Sequence, residues 1–275
     1  MTKHSMKTTH LTTLTLLACS AICFAEPLII AHRGSSASAP ENTIPAFELS
    51  WKQQADGVEG DFLLTKDGHI VCFHDKDTKR ITGKKLIVKN TTLAELRQLD
   101  VGSWKGEQYK GTLIPTIAEV LATIPEGKKI YIEIKCGTEI VTPLLHEIEA
   151  STLASDQILI ICFKAPVLKA IKQRAPHLQT SWLCGLKKDK AGTIAPTVES
   201  ILKTLRDIKA DGFSSSHQHI TPAYIEAVKA AGVSHHVWTI NEPTIATRFH
   251  QWNTGSITTD KPVMIKNAIK AVPAP

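Results

Sequence analysis

A closed parallel (β/α)8 barrel of the α/β class is the fold this chain predicts, on three observations. Eight short, mostly β-branched runs alternate with helix-spaced segments over the whole length, which is the pattern of repeated strand-helix units. The chain has 275 residues, and about 250 beyond an export-type N-terminus is the size of one such barrel. No glycine-rich nucleotide turn follows the first strand, which argues against the doubly wound open sheet that the same alternation permits.

The strand runs are Leu28–His32, Gly57–Leu63, Lys129–Ile134, Gln157–Ile161, Gln179–Leu183, Gly212–Ser214, His235–Ile240 and Ser256–Thr259. Helical spacing occupies Thr43–Gln54, Thr138–Ala150, Pro166–Arg174, Pro222–Ala231 and Glu242–Gln251. Gly212 and Gly232 punctuate strand entries. One further strand-like run, Ile70–His74, stands outside the eight. Asp67-Gly68 before it signals a hairpin, and as a two-residue turn it pairs Lys66 with His69 and Asp61 with His74. Glu59, Asp61 and His74 then share one face. The polar stretch from Asp75 to about Pro115 reads as a small cap-like insertion over the barrel mouth, with Thr92-x-x-Glu95 as a capping box.

Residues 1–25 have signal-peptide grammar: basic Lys3 and Lys7, then an uncharged run from Leu11 to Ala25, with cleavage expected after Ala25. The run is shorter than the ~20 apolar residues of a membrane span. The expected destination is periplasmic or secreted, the alternative being a lipoprotein anchored at Cys19. Residues 26–275 then form a single domain. Lys3 and Lys7 are the only charged residues of the export segment, so its removal lowers the formal charge from +6 to +4. That mild excess suits anionic substrates or surfaces and lacks the basic stripe of a nucleic-acid binder. With 43% hydrophobic and 21% charged residues, the composition is that of a globular protein with a sizeable core. Cys72, Cys136, Cys162 and Cys184 remain beyond the segment and show no zinc spacing. Cys136 and Cys162 follow neighbouring strands, where a disulfide or two buried thiols would both fit.

Glu59 and Asp61 alternate with the apolar Val58 and Phe62, and Glu133 repeats the arrangement against Ile132 and Ile134. Buried carboxylates require a cation or hydrogen-bond donors. An all-oxygen set suits one Mg²⁺ or Ca²⁺ rather than zinc, while ion pairs with Arg33 and Lys135 would satisfy the same groups. His32 and Arg33 end the first strand, the face where barrels carry their sites. A lone histidine is more often packed than catalytic, but His74 at the same mouth makes an acid/base pair. Arg33 and Lys135 add fixed positive charge for a phosphate. Asn42 or Thr43 reads as the first helix cap with Pro45 in its first turn, and Glu41 and Asn42 also adjoin the site. Trp238 is a pocket floor or a packing residue, and Asp260 a ligand or a helix cap. His217 and His219 lack metal spacing. Lys76, Lys79, Arg80, Lys84 and Lys85 read as a solvated basic face with substrate steering secondary.

The order of blocks His32-Arg33-Gly34, Pro40-Glu41-Asn42-Thr43, Glu59-x-Asp61, Thr65-Lys66-Asp67-Gly68 and His74-Asp75 resembles the N-terminal signature of glycerophosphodiester phosphodiesterases. Gly102-Ser103-Trp104, Ile114-Pro115-Thr116, Glu133-Ile134-Lys135, Val237–Asn241 and Thr259–Pro262 resemble later family blocks. The resemblance implies a phospholipase-C-like barrel and metal-dependent hydrolysis of glycerophosphodiesters to glycerol 3-phosphate and an alcohol. It implies Glu59, Asp61 and Glu133 as metal ligands, His32 and His74 as the acid/base pair acting through a cyclic phosphate, and Arg33 and Lys135 as phosphate ligands. Gly60 and Phe62 depart from the pattern, where small apolar residues are more familiar, but neither is an implied ligand. A non-catalytic binding barrel would lack one of these groups, and an enzyme for intact phospholipids would show an apolar rim.

Overall fold

The computed structural model describes Met1 and residues 26–273. The expected export segment, the cleavage point at Ala25 and the alternative anchor at Cys19 lie outside the described residues. The strands are β1 (Leu28–His32), β2 (Gly57–Leu64), β3 (Ile70–Cys72), β4 (Lys129–Ile134), β5 (Ile158–Cys162), β6 (Gln179–Cys184), β7 (Lys187–Lys188), β8 (Ile194–Ala195), β9 (Gly212–Ser216), β10 (Ser234–Trp238) and β11 (Ser256–Thr259). Eight of them, in the order β1, β2, β4, β5, β6, β9, β10, β11, pair in parallel, and β11 closes back onto β1. The (β/α)8 barrel is therefore closed. β7 and β8 form a separate two-stranded ribbon.

Alternation along the strands sorts side chains into two layers. Ile29, Ala31, Val58, Ile130, Ile132, Ile158 and Ile160 join the large outer core beneath the helices. Ile30, Tyr131, Leu159, Ile161 and Leu183 form a second, smaller cluster inside the barrel. The outer helices are α1 (Ile44–Lys52), α2 (Lys79–Thr82), α3 (Leu93–Leu96), α4 (Ile117–Leu121), α5 (Val141–Ala150), α6 (Ala165–Arg174), α7 (Val198–Ile208), α8 (Pro222–Ala230), α9 (Pro243–Gln251) and α10 (Pro262–Lys270). Five of them, α1, α6, α8, α9 and α10, carry a proline at their first or second position. Proline there has its φ already set and lacks only an N–H the helix would leave unbonded, so each crossover starts at a defined residue. α7 buries Ile201, Leu205 and Ile208 on one face and is capped by the Thr197 side chain, which accepts from the Ser200 N–H.

The hairpin register differs from the expectation by one residue. Phe62 pairs with Cys72, Leu63 with Val71 and Leu64 with Ile70. The loop has three residues rather than two: the Thr65 N–H donates to the His69 carbonyl at 2.9 Å, and Gly68 takes the left-handed φ of +84° that such a loop needs. Thr65 Oγ1 closes the turn by donating to Asp67 Oδ1 and accepting from the His69 N–H. Asp61 is thus opposite Phe73, whose N–H donates to the Asp61 carbonyl at 2.8 Å, and His74 lies past the end of β3. Residues 75–115 hold two one-turn helices, α2 and α3, and gather Val88, Leu96, Val101 and Ile114 with Phe73 into a cluster of their own. The Thr92–Glu95 capping box is formed as expected. All four cysteines among the described residues are free thiols, so Cys136 and Cys162 are not joined; Cys162 Sγ donates instead to the Ile134 carbonyl. Among the described residues, no helix is long and apolar enough to cross a membrane.

His235 is sealed between β10 and the helices, with Nε2 against Ser215 Oγ at 3.0 Å and Nδ1 against Thr254 Oγ1 at 2.8 Å. Burial holds its pKa down to about 3. The unfolded chain, titrating near 6.5, binds a proton that the folded chain refuses, so stability falls as pH drops from about 6.5 toward 3. Urea unfolding at pH 7.5 and pH 5 should show a loss of about 2 kcal/mol that this group contributes, reduced by that amount in His235→Gln. An unchanged pH dependence in the variant would refute the assignment.

Candidate active site

β1 stops at His32, paired beside Glu59, while β2 runs on past it to Leu64. The early stop opens the mouth at the C-terminal ends of the strands. On the other side of β2, Glu59 lies beside Tyr131 and Asp61 beside Glu133, so strand register alone brings the three carboxylates together. Ligand atoms of Glu59, Asp61 and Glu133 all fall within 4.8 Å of one another, and all three residues are buried. Gly60 between them leaves room for Cys72, Phe47 and Phe62; a Cβ there would meet them at 3.1–3.3 Å. The two departures from the family pattern, Gly60 and Phe62, thus answer each other: the absent side chain makes space for the larger one.

Both accounts of the triad hold part of the geometry. Asp61 has Arg33 Nε at 3.2 Å and Lys135 Nζ at 3.3 Å, and Lys135 Nζ donates to Glu133 Oε1 at 2.6 Å. The ion pairs do not exhaust the oxygens: Glu59 Oε1 and Asp61 Oδ1 are buried without a hydrogen-bond donor. Lys135 is near Asp61 Oδ1 but not aligned to it. Orphaned buried carboxylate oxygens facing one another, with no nitrogen or sulfur in the set, fit a hard divalent cation. Burial and then the Asp61 charge push the Glu59 and Glu133 carboxyls up, whereas burial of Asp61 is outweighed by Lys135 and Arg33, which hold it down.

His32 and His74 line the same cavity at the mouth, together with Arg33, Glu59, Glu133 and Lys135. Each imidazole is gripped through Nδ1 by a carboxylate: His32 by Asp260 Oδ1 at 2.7 Å and His74 by Asp75 Oδ1 at 2.6 Å. Burial pulls the His32 pKa down, but the Asp260 hydrogen bond and the Glu59 charge outweigh it and leave it above the ordinary histidine value. Asp260 is therefore neither helix cap nor metal ligand. Lys261 stands at the α10 N-cap, and Asp260 also accepts from Ser36 Oγ at 3.0 Å and Asn241 Nδ2 at 2.5 Å.

Arg33 has a φ of +55°, a strained setting for a long side chain, held by its N–H donating to Glu59 Oε2 at 2.9 Å. Its guanidinium donates to Glu41 Oε1 at 2.8 Å, Glu41 accepts two bonds from Arg80, and Arg80 Nε donates to Asp75 Oδ2 at 2.6 Å. Arg33 and His74 are thereby linked through alternating charges, and Arg80 belongs to this chain of contacts rather than to a solvated basic face. Asn42 does not cap the first helix. At φ +59° its Nδ2 donates to Asp61 Oδ2 at 2.8 Å while its Oδ1 accepts from the Asp61 N–H at 3.0 Å and from Cys72 Sγ. Thr43 occupies the cap position without a side-chain cap, donating instead to the Pro40 carbonyl. Trp238 lines the far wall, donates Nε1 to the Ser214 carbonyl at 3.0 Å and meets Phe163 edge to face. His236 lies deeper, on Ser256 Oγ at 2.8 Å, and burial lowers its pKa to about 4, so it is a neutral hydrogen-bonding group. His236 carries no motif that marks it in sequence. Among the residues sequence reasoning left undecided, Asp260 had its signal in the Thr-Asp-Lys-Pro block ending the last strand.

A (β/α)8 barrel with an acid-lined mouth and two carboxylate-held histidines places the chain among barrel enzymes whose site lies at the strand C-termini. The glycerophosphoryl diester phosphodiesterase family model matches residues 32–264, and the chain belongs to that family. It is 34% identical over 252 residues to a glycerophosphodiester phosphodiesterase of Caldanaerobacter subterraneus subsp. tengcongensis, covering 88% of this chain and 98% of that one. A Bacillus subtilis glycerophosphodiester phosphodiesterase is 30% identical over 251 residues, covering 86% and 84%. Among solved structures, an Oleispira antarctica phosphodiesterase in complex with the product sn-glycerol-3-phosphate superposes with a TM-score of 0.81 at 28% identity, covering 89% of this chain and 97% of that one.

Asn42→Ala leaves the buried Asp61 N–H without its acceptor and removes a donor from the carboxylate. The expected loss is about 1–3 kcal/mol of unfolding free energy, measured by urea titration. An unmoved midpoint would show that these bonds do not hold the triad in place.

Proposed function

We propose that this protein hydrolyses glycerophosphodiesters to glycerol 3-phosphate and an alcohol, with His32 and His74 as the acid/base pair. The observation that carries this reading is the matched grip on the two imidazoles. Fixing Nδ1 against a carboxylate leaves Nε2 of each ring free for proton exchange at one cavity. The Oleispira antarctica complex supports the product side of the reading.

In this mechanism Arg33 and Lys135 bind the phosphodiester. One histidine takes the proton from the substrate's own glycerol hydroxyl as its oxygen attacks phosphorus; the other protonates the departing alkoxide as the second phosphorus–oxygen bond breaks. The product of that step is a cyclic phosphate. The histidines then exchange roles, one deprotonating water as it attacks and the other returning a proton to the glycerol oxygen. Glu59, Asp61 and Glu133 would hold a divalent cation, Mg²⁺ or Ca²⁺, which would supply electrostatic stabilisation of the phosphoryl oxygens. Arg33 and Lys135 pair with Asp61 and Glu133 and leave Glu59 Oε1 and Asp61 Oδ1 without a donor. Trp238 and the polar wall at Ser214, His236 and Thr258 fit the glycerol half.

We also infer export through residues 1–25, for which intact mass is the check: a mature chain beginning at Glu26 supports it, and a lipid on Cys19 supports the anchored alternative.

Release of glycerol 3-phosphate from glycerophosphocholine is expected to fall at least about a hundredfold in His32→Ala and in His74→Ala, with unfolding midpoints near wild type. Exhaustive chelation should also abolish release, with Mg²⁺ or Ca²⁺ restoring it. Full activity in both variants would sink the histidine assignment, and activity indifferent to chelation would sink the cation site.

A further inference from the structure

We propose that a second cavity, adjoining the catalytic one across Lys135, is a specificity subsite for an anionic group carried on the alcohol half of the diester. This rests on the activity proposed above and names a preferred substrate class for it.

The catalytic cavity is small, about 170 Å³, against the roughly 300–1,000 Å³ of pockets that enclose whole drug-sized ligands. Beside it lies a larger cavity of about 450 Å³, and Lys135 is a wall of both. A diester bound at Lys135 with its glycerol half in the first cavity directs its other arm toward the second. The floor there is apolar, formed by Leu63, Leu64 and Val88, and the rim is basic: Lys66, Lys76, Lys89 and Lys164. These lysines come from four separate segments: the β2–β3 turn, the stretch after β3, the turn following Ile87 and the loop leaving β5. They are therefore not the polar stripe of one helix.

None of the four makes an ion pair within 4.0 Å among the described residues, and all four are exposed. The one acid on the wall, Glu139, accepts from the Gly137 N–H, and the backbone N–H groups there, with the Lys164 and Lys89 charges, hold its carboxyl below the ordinary glutamate value. Four ammonium groups against one carboxylate leave the concavity net positive, and an anion entering it gains attraction. A phosphate or carboxylate on the leaving alcohol satisfies this geometry; the cationic alcohol choline does not.

A matched substrate pair isolates the effect: glycerophosphoinositol and glycerophosphoinositol 4-phosphate differ only by the added anion. The wild-type protein should show about tenfold higher kcat/KM on the phosphorylated substrate. The preference should shrink as salt rises from about 10 mM to about 1 M, which shortens the screening length from about 30 Å to about 3 Å. The triple variant Lys66→Gln, Lys89→Gln, Lys164→Gln changes exposed side chains outside the catalytic cavity. It should lose the preference while keeping wild-type kcat/KM on glycerophosphoinositol. Equal kcat/KM for the two substrates in the wild type, or a preference that survives in the triple variant, overturns the subsite and leaves the activity standing. Hydrolysis of neither substrate overturns the activity, and the subsite with it.

Discussion

Three carboxylates buried within 4.8 Å of one another are the constraint around which this mouth is organised. Removing that much negative charge from water costs several kcal/mol per group unless cations or donors stand beside it. The surrounding structure answers group by group. Arg33 and Lys135 supply fixed charge, the Arg33 N–H reaches Glu59, and Asn42 holds both the backbone and the side chain of Asp61. The left-handed backbone at Arg33 and Asn42 is strain sustained by these contacts. Even so, two buried oxygens lack donors, and this residual demand is what makes the site fit a hard dication.

The barrel delivers these groups through register. His32, Glu59 and Tyr131 lie in one row across three strands, and Asp61 and Glu133 lie in the next. β1 ends where β2 continues, and the hairpin returns past β3 to bring His74 to the same mouth. The two histidines arrive by different routes, one on a barrel strand and one beyond a short antiparallel strand. The chain of contacts through Glu41, Arg80 and Asp75 ties those routes together. Lys105 and Tyr109, donating to the carbonyls of Ser36 and Ser38, fasten the segment after the hairpin to the loop leaving β1. The two cavities meet at Lys135, one lined by the histidines and acids and the other rimmed by Lys66, Lys76, Lys89 and Lys164.

Much of this was legible in order. Strand ends at Leu28–His32, Lys129–Ile134 and Ser256–Thr259 match the structure residue for residue, because β-branched runs there are bounded by polar or turn residues. The strand expected at His235–Ile240 lies instead at Ser234–Trp238, since the β-branched Thr239 and Ile240 extend the pattern after pairing has stopped. Placement of the triad on one side of β2 and β4 followed from period-two alternation, which requires no tertiary information. The hairpin register did not: Thr65 diverts the turn through its own hydroxyl, and a local side-chain bond of that kind competes with the two-residue turn that Asp-Gly favours. Asn42 likewise has the composition of a helix cap, and only a carboxylate brought from another strand makes it a clamp.

The amino-acid sequence by itself therefore determined the closed barrel, the strands that carry the chemistry and the identity of its acidic and histidine groups. These are set by local periodicity and by residue type, and both are readable along the chain. Tertiary structure alone decided that Asp260 reaches across 228 positions to His32, that Arg80 leaves the basic surface for Glu41, and that Lys164 faces the same cavity as Lys66, Lys76 and Lys89. Those pairings depend on distances in space between residues far apart in the chain, and such distances exist only once the barrel has closed.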